Sequence, residues 1–267
     1  MPVADPILMG VINVTPDSFS DGGRFLDAHA AVEHGKRLAD AGADMLDVGG
    51  ESTRPGAEPV SEAEELERVI PVVERLAQPG VGRISIDTTK LEVARAALQA
   101  GARVVNDVSA FRHDPEMAGL VASGGADCCL MHMLGEPRTM QRDPRYGDVV
   151  SEVKAFLEER LSFAVREGVP ERRVLLDPGI GFGKTLDHNL ELLRRLAEIV
   201  AIGRPVVFGA SRKRFLGRLT GRAEDERVPG TIAASVLAYE RGASIFRVHD
   251  VVEVRDALRV AVATVGA

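Results

Sequence analysis

Short, unbroken apolar runs alternate along the chain with longer segments whose apolar residues recur every three or four positions. The runs cover residues 7–12, 45–48, 83–86, 104–105, 128–131, 174–176, 206–208 and 245–248. Continuous apolar strands of this kind are buried on both faces, as in parallel sheets. The segments between them read as amphipathic helices. One opens on the capping box Ser61-Glu62-Ala63-Glu64 and carries Leu66, Val69, Ile70, Val73 and Leu76 on one face. Pro71 predicts a kink in it. A second helix carries Val150, Val153, Leu157, Leu161 and Ala164, and a third Leu190, Leu193, Leu196 and Ala197. Eight strands alternating with helices over 267 residues close most economically into a (β/α)8 TIM barrel, one domain spanning residues 1–267. An open doubly wound sheet is the alternative.

Polar residues gather where the apolar runs end. Asn13 follows the first run and Asp47 lies in the second. Asp87 ends the third, Asn106 the fourth and Asp177 the sixth. Lys213 comes shortly after the seventh run, Arg247 lies in the eighth, and His249 stands just beyond it. Taken singly, each could cap a strand or the helix that follows. Barrel enzymes build their sites at the C-terminal rim, so the whole set points to one shared pocket.

Composition narrows what that pocket can bind. Hydrophobic residues make up 45% of the chain and charged residues 27%, enough for a large core and unlike a disordered protein. The chain has no Trp and only 4% aromatics, which disfavours nucleic-acid binding by stacking. A net charge of -7 argues against a polyanionic partner, although a local basic pocket can still serve a small anion. Cys128 and Cys129 sit inside an apolar run and read as buried thiols. No leader or membrane-length apolar run is visible, so the expectation is a soluble, cytoplasmic protein without a membrane partner.

Residues 175–185, LLDPGIGFGKT, look like a phosphate cradle. Pro178 occupies the place of that motif's first glycine, so the pattern misses by one residue. Two loops are also longer than a barrel needs, NVTPDSFSDGG at 13–23 and GGESTRPGAEPVS at 49–61. Their Gly, Pro, Ser and acidic residues suit mobile lids.

With these loops, DVGGESTRPGA, SIDTTK, VVNDVS, LMHM, LLDPGIGFGKT, GASRKRFLG and FRVHDV follow in order. Over nearly its whole length the chain resembles the dihydropteroate synthase family, the folate-pathway enzymes targeted by sulfonamides. One departure is Ala110-Phe111 after NDVS, where many relatives carry glycine.

The resemblance implies a transferase that joins p-aminobenzoate to 6-hydroxymethyl-7,8-dihydropterin pyrophosphate. It makes the glycine-rich stretch a pterin-side loop, with Lys184 on solvent or backbone and the phosphates elsewhere on the rim. Asp87, Asn106, Met131, Asp177, Phe182 and Lys213 are implied for the pterin, and Asn13, Arg247 and His249 for the pyrophosphate. Asn13 is implied as the protein ligand of a Mg2+ ion. Phe19, Thr53, Pro55, Phe182, Ser211 and Arg214 are implied for p-aminobenzoate, and Asp21, Arg54 and Lys213 for catalysis. A homodimer through the outer helices is also implied. Two alternatives remain at this point: a methyltetrahydrofolate-binding methyltransferase domain and a catalytically silent pterin-binding paralogue. The SRK and RVH segments and both long loops speak against the first, and the presence of Asn13, Asp21, Arg54 and Lys213 against the second.

Overall fold

The computed structural model describes residues 5–15, 24–53 and 56–265, with backbone alone for 24–27 and 265. The predicted runs become β1 (Ile7–Asn13), β2 (Met45–Gly49), β3 (Arg83–Asp87), β4 (Val104–Asp107), β5 (Asp127–Met131), β6 (Val174–Asp177), β7 (Val207–Phe208) and β8 (Ile245–Val248). All pair in parallel in the order β6-β5-β4-β3-β2-β1-β8-β7. The two ends meet at a parallel bridge between Leu176 and Val206, where the Leu176 N–H donates to the Pro205 carbonyl at 3.0 Å. That closure makes a (β/α)8 barrel and removes the open sheet from consideration.

Helices α1 (Arg24–Asp40), α2 (Glu62–Leu76), α3 (Leu91–Ala100), α4 (Glu116–Gly124) and α5 (Val149–Arg166) cover the first strands. They are followed by α6 (Leu186–Arg194), α7 (Leu196–Val200), α8 (Arg214–Thr220), α9 (Val228–Glu240) and α10 (Val251–Val265). The Ser61 hydroxyl caps α2 by accepting from the Glu64 N–H at 3.3 Å. The Glu64 carboxylate does not complete the expected box but pairs with Arg68 one turn on. The helix runs through Pro71 to Leu76, burying Val69, Val72, Val73 and Leu76. The third predicted helix is divided at Arg195 into α6 and α7. Leu192, Leu193, Leu196 and Ile199 face inward, and Ala197 is exposed.

Successive strand residues point to opposite faces, so each strand feeds two environments. Outward residues such as Leu46, Ile86 and Phe246 pack under the helices in the main core. Met9, Met45, Val104, Cys129, Leu175, Val207 and Ile245 form a separate buried cluster, an apolar plug inside the barrel. Two residues further along these strands, on the same face, stand Val11, Asp47, Asn106, Met131, Asp177, Gly209 and Arg247. The interior thus turns from apolar to polar as the strands approach their C-terminal ends.

The loop after β4 explains the departure noted in the sequence. Ala110 and Phe111 both adopt positive φ, 53° and 62°, a region glycine enters with little strain. The fully buried Asp107 holds the turn: its Oδ1 accepts from the Ser109 N–H at 2.6 Å and its Oδ2 from the Phe111 N–H at 2.9 Å. Arg160 donates from Nε to the Ala110 carbonyl at 2.8 Å. Asp107→Ala leaves two buried N–H groups unpaired in a strained turn, and should lower unfolding stability by roughly 2–4 kcal/mol. Urea denaturation measures this; a loss under about 0.5 kcal/mol would mean the turn holds itself.

Candidate active site at the C-terminal mouth

The glycine-rich stretch leaves β6 at Asp177 and turns back against the end of β5. Gly179 has φ +66°, and a Cβ there would collide with the His132 carbonyl oxygen. A Cβ on Gly183 would stand 2.6 Å from the Leu134 carbonyl oxygen. These glycines therefore let two backbones touch, which is a different use from ringing an anion with N–H groups. Lys184 is 3% exposed, with Nζ 2.9 Å from the Phe182 carbonyl and 2.9 Å from His132 Nδ1. Of the two expected surroundings it takes backbone rather than solvent. Burial drives the Lys184 amine well below the ordinary lysine range and the His132 ring down to about 2. The amine and the neutral ring then share one buried hydrogen bond.

Charged side chains from four strands, β2, β3, β6 and β8, converge above the apolar plug beside the Asn106 amide of β4. Arg247 donates from Nε to Asp47 Oδ2 at 2.6 Å and from Nη2 to Asp87 Oδ2 at 2.8 Å. Asn106 donates from Nδ2 to the same Asp47 Oδ2 at 3.0 Å. The Asp87 carboxyl is pushed up by burial, with Arg247 pulling it down and Asp47 adding like charge. Arg247 is raised despite its burial, because Asp47 and Asp87 favour the cation. Arg247 is thus ion-paired with two barrel carboxylates, and the pairing leaves part of its guanidinium donor set for another partner.

Asp177 is 6% exposed; its Oδ1 accepts from the Gly179 N–H at 2.6 Å. Burial raises its carboxyl, against the pull of Lys213, the Gly179 hydrogen bond, Arg247 and Lys184. Lys213 reaches in from the loop after β7, donates to the Ile180 carbonyl and lies 4.7 Å over the Phe182 ring. Burial lowers its amine to about 8, with Asp177 acting in the other direction. Gly209 lies where these groups meet. A Cβ on it would stand 3.7 Å from Lys213 Nζ, 3.8 Å from Arg247 Cβ and 4.0 Å from Asp177 Oδ2.

The loops after β7 and β8 are clamped together. Arg212, at φ 57°, pairs with Asp250 through Nε at 2.9 Å and through Nη2. Ser211 Oγ accepts from the His249 N–H at 3.2 Å and lies 3.0 Å from His249 Nδ1. The hydroxyl can donate to Nδ1 or accept a second hydrogen bond from it, so the contact holds the imidazole against the loop after β7 with either ring nitrogen protonated. Ser211, implied for p-aminobenzoate, stands beside His249 at the mouth. Arg212 and Asp250 lie inside quoted motifs, yet sequence reasoning gave them no role. Gly209 was missed for the same reason.

Met131 joins Val108, Met133 and Met140 in a small buried cluster on which Phe182 packs, an apolar wall beside the charged groups. Asn13 ends β1 next to Gly49, Thr53 is partly buried, and Arg214 opens α8 with its side chain exposed. Phe19, Asp21, Arg54 and Pro55 lie outside the described residues.

A family model described as "Pterin binding enzyme" matches residues 9–249. The dihydropteroate synthase of Escherichia coli K12 is 47% identical over 265 residues, covering 99% of this chain and 94% of that protein. This chain belongs to the dihydropteroate synthase family. Among solved members, the Xanthomonas albilineans enzyme with 4-aminobenzoic acid superposes with a TM-score of 0.93 at 50% identity, covering 99% of this chain and 95% of that one. The same enzyme in complex with 7,8-dihydropteroate gives 0.89 at 47% identity, with 100% and 96% covered. The resemblance read from eight ordered motifs is thus correct, and the motif residues of a dihydropteroate synthase supply the mouth described above. Among the described residues no helix is long and apolar enough to cross a membrane.

The half-buried setting of Lys213 generates a titration that can be followed directly. Its amine should titrate near 8 rather than at the ordinary lysine value of 10.5. Because Asp177 favours the cation, Asp177→Asn should move the midpoint lower still. Lysine 15Nζ NMR, assigned with Lys213→Arg, measures both. A midpoint at the ordinary value would mean that water reaches the amine freely.

Proposed function

We propose that the chain joins p-aminobenzoate to 6-hydroxymethyl-7,8-dihydropterin pyrophosphate, yielding 7,8-dihydropteroate and pyrophosphate. The observation that carries this reading is the meeting of Asp177, Lys213 and Arg247 over a side-chain-free position, Gly209, in a member of this family. The pterin offers two neighbouring N–H donors, on its 2-amino group and N3. The Asp177 carboxylate accepts both, as it would from a guanidinium. Lys213 donates to the ring carbonyl oxygen and the nitrogen beside it. Asn106 and Asp87 take the remaining edge, and Met131 and Phe182 supply apolar contact to the ring.

Arg247 and His249 serve the pyrophosphate, Arg247 with the donors its carboxylates leave over and His249 through its imidazole. Asn13 brings one neutral oxygen to the rim, and among the described residues no group of three or more His, Cys, Asp or Glu could cage a metal. This donor set fits a magnesium ion, for which Asn13 would be the protein ligand. Bound there, it would neutralise charge on the leaving group. The bond that breaks joins the pterin methylene carbon to a pyrophosphate oxygen, which keeps the electron pair. The electron-rich ring spreads the positive charge left on that carbon. The neutral amine nitrogen of p-aminobenzoate then bonds to it, and the acidic anilinium proton passes to solvent or phosphate. No strong general base is needed.

The family pattern assigns Phe19, Pro55, Phe182, Thr53, Ser211 and the Arg214 backbone to p-aminobenzoate. The family pattern assigns Asp21 and Arg54, opposite in charge, to catalysis. The same reading carries a homodimer through the outer helices and a cytoplasmic location.

Three substitutions test the assignment. Asp177→Asn turns an N–H toward a pterin donor and should weaken pterin binding by roughly 2–4 kcal/mol with the fold intact. Calorimetry with the unphosphorylated pterin alcohol decides it; unchanged affinity removes Asp177 from the site. Gly209→Ala makes only ordinary van der Waals contacts, so stability should hold within about 0.5 kcal/mol. Its methyl group stands among the three ligand-facing side chains, so pterin affinity should fall about tenfold or more. Arg247→Ala should weaken the pyrophosphate ester far more than the alcohol. Equal losses on both ligands would make Arg247 purely structural.

A further inference from the structure

The role of Asp47 is left open by the assignments above. It lies two residues beyond the apolar plug on β2, at 0% exposure, where a carboxylate is costly unless paired. Its pairing is unusual in form. Arg247 Nε at 2.6 Å and Asn106 Nδ2 at 3.0 Å meet on the single oxygen Oδ2, while Oδ1 is buried without a hydrogen-bond partner among the described residues. The two donors come from β8 and β4, on either side of β2 around the barrel.

The chemistry of that oxygen has a consequence for Asn106. A carboxylate only accepts, so the Asn106 amide must present its NH2 group to Asp47, leaving its oxygen as the acceptor for a ligand. The two ends of an amide are nearly equal in shape, so a fixed partner is what decides which end faces the ligand. The same oxygen fixes Arg247 at Nε, and Asp87 holds it at Nη2. With both bonds in place the guanidinium plane cannot swing freely.

We propose that Asp47 is a positioning residue for the condensation: through Oδ2 it sets the polarity of the Asn106 amide toward the pterin and holds Arg247 toward the leaving pyrophosphate. The inference rests on the pterin and pyrophosphate reading of the mouth. Asp47 touches neither ligand, so its effect on each must pass through one named neighbour. It acts on the pterin through Asn106 and on the pyrophosphate through Arg247.

Two double-mutant cycles read this out. In the first, calorimetry with 6-hydroxymethyl-7,8-dihydropterin compares wild type, Asp47→Ala, Asn106→Ala and the double variant. Each single change should cost about tenfold in affinity, and the double variant should lie within about twofold of Asn106→Ala. The second uses the pyrophosphate ester with Arg247→Ala. The further loss that Asp47→Ala causes on the ester should vanish once Arg247 is gone. Asp47→Asn can place its amide oxygen where Oδ2 stands and accept from both donors, so it should recover pterin affinity to within about threefold of wild type. Should Asp47→Ala fail to fold, Asp47→Ser takes its place in both cycles. Additive losses in the cycles, or no recovery with Asp47→Asn, overturn the proposal. A wild-type chain that binds neither pterin would overturn the underlying reading instead, and the cycles keep the two failures apart.

Discussion

The mouth of the barrel depends on charge compensation in a place that water barely reaches. Arg247 sits between Asp47 and Asp87, and Lys213 lies near Asp177, so three carboxylates and two cations share the space above the plug. Each ion alone would lose several kcal/mol on leaving water. Together they tolerate burial, at the cost of making every member sensitive to the loss of a neighbour. The plug beneath, from Met9 to Ile245, keeps the effective dielectric low and so strengthens each remaining interaction. Here the need for a packed barrel interior and the need for a polar site are met by one device, the alternation of strand residues. On β2, β4, β6 and β8 one inward position is apolar, and the next along the strand is charged or amide-bearing.

That arrangement also explains the glycines. A P-loop needs backbone N–H groups turned toward an anion, whereas Gly179 and Gly183 are pressed against the carbonyl oxygens of His132 and Leu134. Lys184 faces inward to His132 and the Phe182 carbonyl, with no path to a phosphate. The stretch works as a shaped wall. It aims Asp177 through the Gly179 N–H and carries Phe182 beneath the Lys213 amine.

Much of this was legible in the chain, and the gaps have physical causes. The apolar runs located every strand, because parallel strands are buried on both faces. The run at residues 104–105 ended early only because β4 continues through Asn106 and Asp107, whose polarity belongs to the mouth and to the loop cap. The ring of polar strand ends predicted the shared pocket. Which of them pair was not visible, since Arg247 meets an aspartate 200 positions away and no local signal encodes that. Arg212 at positive φ and the division at Arg195 were likewise hidden, being tertiary outcomes rather than patterns. Ala110-Phe111 was noticed as an oddity; only the Asp107 and Arg160 hydrogen bonds explain how that turn is held without glycine.

The central claim is that the mouth supports displacement by an amine and does not simply hydrolyse a phosphate ester. The stoichiometry of pyrophosphate release tests this most directly. With 6-hydroxymethyl-7,8-dihydropterin pyrophosphate and magnesium present, one pyrophosphate should appear for each p-aminobenzoate consumed, and release should nearly stop when the amine is left out. Pyrophosphate released at the same rate without p-aminobenzoate would contradict the account.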